Sequence, residues 1–159
     1  MSTLFALDLD HHELAQQTQV ESGLLQHLIN GLRAALAWEV RGDDFSRKLS
    51  TLRFISGSFQ RHLERLMTLE EVDGYMDLVL ETKPFLSKSV GCLKQDHEGF
   101  RSSTRDVVCR LAIVHPTDPI TFAEICDDLA ELLNKLETHG RKEVKLFQEA
   151  FEQEEGGEG

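Results

Sequence analysis

His97, His139 and Glu143 stand where a helical pattern asks for leucine. Leu86, Val90, Leu93, His97, Phe100 and Thr104 step by four and three, as do Leu129, Leu132, Leu136, His139, Glu143 and Leu146, so both sets read as inward seams. His27 likewise interrupts a stripe of Val20, Leu24, Gly31, Ala34 and Trp38. An imidazole or carboxylate on a buried face is costly unless it is paired or bound to a metal. Glu143 lies one turn after His139, so the two project from the same side. Inward His and Glu from separate helices are how a bundle assembles a carboxylate–histidine metal centre. Without a thiolate, such a donor set suits iron, manganese or zinc. Taken singly, each His also reads as a core histidine bonded to a neighbour, and the His139/Glu143 pair as ordinary helix support. It is their conjunction on several helices that points to a metal.

The elements that must carry these residues follow from the breakers at Gly42-Asp43-Asp44, Thr82-Lys83-Pro84 and His115-Pro116-Thr117-Asp118-Pro119. Between them the periodicity predicts four helices, over 20–41, 44–80, 84–114 and 119–153. Pro84 and Pro119 suit a first helical turn, with Thr82 and Asp118 as caps. Short connections make neighbours antiparallel, so the expected fold is all-α, an up-down-up-down four-helix bundle. Residues 1–19 are expected to form an N-terminal arm, 20–153 the bundle, and 154–159 a disordered acidic tail.

Composition narrows the function. The chain has 159 residues, enough for one domain with a core of its own. With 28 acids against 17 Lys and Arg its formal charge is -11, which argues against nucleic acid or an anionic membrane as partner. Three Pro, one Trp and one Tyr speak against a β-sandwich. Cys92, Cys109 and Cys126 are odd in number and widely spaced, as expected of reduced thiols in a cytoplasmic protein and not of a zinc site. There is neither a leader-like start nor an apolar run long enough to span a bilayer. No phosphate loop or nucleophile elbow is present. His11, His12 and His115 read as incidental, and Arg47, Lys48, Arg53, Arg61 and Arg65 as a solvated or acid-paired face.

These motifs resemble the hemerythrin-like (HHE cation-binding) family. Asp96-His97 is similar to the acid–His signature of its third helix. His139 and Glu143, trailed by Leu146-Phe147, resemble its fourth-helix motif; His27, with Ile29, Leu32 and Leu36 after it, resembles its first-helix His; Glu70 to Met76 resembles the end of its second-helix motif. The likeness extends over 20–151. It implies a bundle holding non-haem iron, one ion or two, with His27, His97 and His139 as terminal ligands and Glu70 and Glu143 as bridging carboxylates. The implied roles are oxygen or iron binding or sensing, with dioxygen as a possible small ligand and a protein partner or homodimer also open.

Two departures bear on that implication. The family's second-helix His, four residues before Glu70, is here Leu66, and a second His expected four residues after His97 is Arg101. If His62 were the ligand instead, its own partner four residues on would be Leu66. His62 lies about 12 Å along the helix axis from Glu70, too far to share an ion. The expectation is therefore a site that holds one metal or none, with Arg101 able to supply positive charge near the carboxylates. The alternative is a metal-free bundle serving as an interaction or regulatory module.

Overall fold

The computed structural model describes residues 2–42 and 44–152, with side chains described over 12–42 and 44–151. Four long helices form the bundle: α1 Ser2–Ala37, α2 Ser46–Glu71, α4 Ser87–Ile113 and α5 Pro119–Phe147. Between α2 and α4 come the short α3, Tyr75–Thr82, and a tight turn Pro84–Leu86, while α5 loosens into a wide final turn, Gln148–Glu152. No helix of the described residues is long and apolar enough to cross a membrane.

The ends of these helices show the predicted chemistry in part. Asp118 accepts a hydrogen bond from the Thr121 amide at 3.1 Å, and Pro119 opens α5. Thr82 is not a cap. It is the last residue of α3, and its hydroxyl donates to the Leu78 carbonyl at 2.8 Å. The basic face of α2 is only partly paired with acids. Lys48 donates to the Leu36 and Trp38 carbonyls at the end of α1, and Arg53 to the Leu111 and Val114 carbonyls at the end of α4. Cations there satisfy carbonyls that have no partner within the helix.

Three differences from the sequence reading shape the site. The helix α1 is continuous from Ser2, well before the predicted start. The expected second helix is broken at Val72-Asp73-Gly74. Asp73 takes a left-handed φ of 55°, and Gly74 packs so tightly on the end of α2 that a Cβ there would lie 2.1 Å from the Leu69 carbonyl. Last, α1 buries Leu25, Leu32 and Ala35, while Val20, Leu24 and Trp38, of the stripe that holds His27, are exposed. The predicted acidic tail lies outside the described residues.

Two apolar layers fill the bundle. The larger contains Leu32, Leu52, Phe59, Leu111, Ile125 and Leu129, and the smaller Met76, Val79, Val90, Leu93 and Leu146. Buried Glu70, His97 and His139 fall between them along α2, α4 and α5. A polar layer thus separates two dry ones.

Candidate metal centre

Each polar group in this layer is positioned by a different element. His97 on α4 and His139 on α5 face each other with ring centroids 5.0 Å apart, and Phe100 and His139 stand perpendicular at 5.2 Å. The Nδ1 of His97 is 2.8 Å from Glu71, whose carboxylate is held from the other side by the Arg101 guanidinium at 2.8 and 3.1 Å. The Nδ1 of His139 is 3.0 Å from Asp96, which Lys142 holds at 3.0 Å. Cation, carboxylate and imidazole thus form two parallel relays. Each carboxylate fixes a proton on Nδ1 and turns Nε2 inward, which on His97 presents a lone pair to the interior.

Those inward nitrogens are the unusual feature. The Nε2 atoms of both rings are buried without a hydrogen-bond partner. That of His139 lies 2.9 Å from a Glu143 oxygen but out of line for a hydrogen bond. Burial, outweighing the pull of Glu71, takes His97 below the usual imidazole range. For His139 burial acts in the same direction, but Glu143 and Asp96 prevail and raise it.

Glu70 closes the layer from the end of α2. Burial and the neighbouring Glu143 push its carboxyl up to about 10, so it keeps its proton. Burial also works against charge on Glu143, yet His139, Glu70 and Tyr75 hold it down to about 2. The pair thus shares one proton, as two carboxylates in one dry site must. The Tyr75 hydroxyl donates to Glu143 at 2.7 Å, and burial beside two carboxylates keeps the phenol protonated. Tyr75 reaches this position because the break at Gly74 redirects the chain.

Of the five residues proposed from the sequence, the fold brings Glu70, His97, His139 and Glu143 together around one cavity of about 680 Å³. It does not bring His27. That residue is exposed and lines a separate groove with Gln16, Gln19 and Val20, because its stripe faces outward. What α1 offers the cavity is Ser22, Leu25, Gln26, Ile29 and Arg33, without an imidazole or carboxylate. His62 is engaged elsewhere, 2.7 Å from Glu21, which Arg65 also binds. Leu66 does line the cavity, one turn from Glu70. Arg101 bonds Glu64, Glu71 and Glu98, so the positive charge expected beside Glu70 and Glu143 goes to other carboxylates.

Tyr75, Glu71 and Asp96 complete the layer and were not proposed as site residues. Asp96 and Tyr75 sit inside the quoted motifs, but their contacts cross between helices and leave no spacing to read. As placed, the side chains bond one another, and among the described residues no three His, Cys, Asp or Glu are arranged to hold an ion. The donors nevertheless suit one. The His97 Nε2 lacks any other partner, that of His139 meets only Glu143, and a dication can replace the proton shared by the carboxylates.

A four-helix bundle with a buried histidine–carboxylate layer belongs, by architecture, with the carboxylate-type metal proteins. The family model of the hemerythrin HHE cation-binding domain matches residues 4–151, and the chain belongs to that family. No curated protein and no solved structure matches it.

Proposed function

We propose that this chain holds a single non-haem iron in the polar layer and uses it to bind or sense dioxygen or a related small oxidant. The observation that carries the reading is the pair of buried Nε2 atoms, each on a ring whose Nδ1 is occupied by a carboxylate. His97, His139, Glu70 and Glu143 would hold the ion, with Glu70 giving up its proton on binding. When bound, such an iron supplies a redox couple and a coordination position open to a small ligand. The chain's own part is to exclude water with Leu66, Met67 and Phe100 and to fix both rings through Glu71 and Asp96. Tyr75 holds a proton 2.7 Å from Glu143, where it can be donated to a neighbouring oxygen. A second iron lacks donors, because Leu66 and the cavity face of α1 provide none. The free state of Cys92, Cys109 and Cys126 supports a reducing compartment, and we place the protein in the cytoplasm.

The test is the iron content of folded chain after expression in iron-replete medium, together with its visible spectrum under nitrogen and under air. About one iron per chain and an absorption band that responds to oxygen are expected. A chain that takes up no iron, and whose melting temperature ignores added iron, would instead support the interaction module.

A further inference from the structure

The cavity beside the polar layer is far larger than a diatomic ligand needs. Its volume of about 680 Å³ falls in the range of about 300–1,000 Å³ typical of pockets for organic molecules. The walls are apolar, with Leu25 and Ile29 from α1, Leu63 and Leu66 from α2, and Leu133 and Leu136 from α5. Arg33 and Arg141 also line it, and both bind the single carboxylate of Glu137, at 3.3 and 3.2 Å. Two guanidiniums on one carboxylate leave a positive charge over, in a chain whose formal charge is -11. At the polar layer the balance reverses, since the Glu70 and Glu143 carboxylates both line that end of the cavity. A fitting occupant is therefore apolar along its body and anionic at the end held by the arginines.

We propose that this cavity binds an amphipathic organic carboxylate, a fatty acid of about eight to ten carbons, with its headgroup on Arg33 and Arg141. The arginine fork matches carboxylate geometry, and the leucine walls reward each buried methylene. The proposal shares its cavity with the metal reading but does not need the ion.

Calorimetry on the metal-free full chain with octanoate, octanol and butyrate tests it. Octanoate should bind one per chain, about tenfold tighter than either of the others. Gly140 lines the cavity, and a Cβ there meets nothing within 4 Å, so Gly140→Phe can fill the space from α5. That substitution should weaken octanoate about tenfold or more with helix content unchanged. If it perturbs folding, Val144→Trp, at an exposed position in the lining, replaces it. Arg33→Gln combined with Arg141→Gln should weaken octanoate and leave octanol unaffected. Absence of octanoate binding, equal binding of octanoate and octanol, or binding indifferent to the filled cavity would each overturn the proposal. Iron uptake measured on the same preparation separates the two readings. Octanoate binding by a chain that takes no iron removes the metal reading alone, and iron uptake without octanoate binding removes this one alone.

Discussion

Two clusters in this bundle pair an imidazole Nδ1 with a carboxylate, and they differ in what is left over. In one, Glu21 on α1 takes His62 at 2.7 Å and Arg65 at 2.9 Å. The His62 side chain is 28 % exposed there, and a cation answers the acid. In the other, the His97 and His139 side chains are 1 % and 6 % exposed, and their second nitrogens have no hydrogen-bond partner. A buried nitrogen left unsatisfied costs about 1–3 kcal/mol, which a purely structural cluster would have no reason to retain. An imidazole–carboxylate contact alone therefore does not mark a ligand. The unused nitrogen is what separates the second cluster from the first.

The sharpest way to break this comparison is to remove one ring from each cluster. His97→Ala should abolish iron binding, whereas His62→Ala should leave iron per chain unchanged, both read by metal analysis of folded protein. Equal losses would erase the distinction.

Next in size is the effect of pH on the metal-free protein. Because the folded state raises the Glu70 carboxyl to about 10 from an ordinary value of 4.5, its contribution is greatest below about pH 4.5 and is lost as pH rises toward 10. Glu70→Gln should flatten that decline and raise stability at pH 8 by on the order of 2 kcal/mol, measured by denaturant melts. An unchanged slope would mean that Glu70 does not carry the shared proton. Glu21 runs the other way. His62 and Arg65, prevailing over burial, lower its pKa, so its contribution is present above about pH 4.5 and lost in acid.

Arg101 offers a smaller and more selective probe. Arg101→Gln should weaken iron binding about tenfold by loosening Glu71 and hence His97, at a cost of about 1–2 kcal/mol in stability. A loss of stability with no change in affinity would reduce the relay to a salt bridge. Finally, Leu66→His places an imidazole one turn before Glu70 and should raise metal content modestly above the unsubstituted chain. No change would count against Leu66 as the position of a missing ligand.

How legible these features were depends on whether one helix or several had to be read. His97, His139 and Glu143 could be placed from spacing because a helix of fixed period puts residues three and four apart on one face whatever surrounds it. Glu70 was reached through a short motif and stands beside Glu143. The exposure of His27 is not readable along the chain, because α1 carries two stripes of similar apolar character and the choice between them rests on which neighbours pack against it. The second helix reads as continuous from the sequence because its breakers are Gly42-Asp43-Asp44 and Thr82-Lys83-Pro84, and a lone Gly74 between them does not mark an end.

The sequence by itself determined the bundle, the inward position of His97, His139 and Glu143 and the absence of a His at position 66, all consequences of local periodicity and side-chain chemistry. Only the tertiary structure decided that α1 turns His27 to solvent, that the chain bends at Gly74 to bring Tyr75 onto Glu143, and that Glu71 and Asp96 orient the rings. Those outcomes depend on contacts between helices, where distance and burial, rather than spacing along the chain, select the partner.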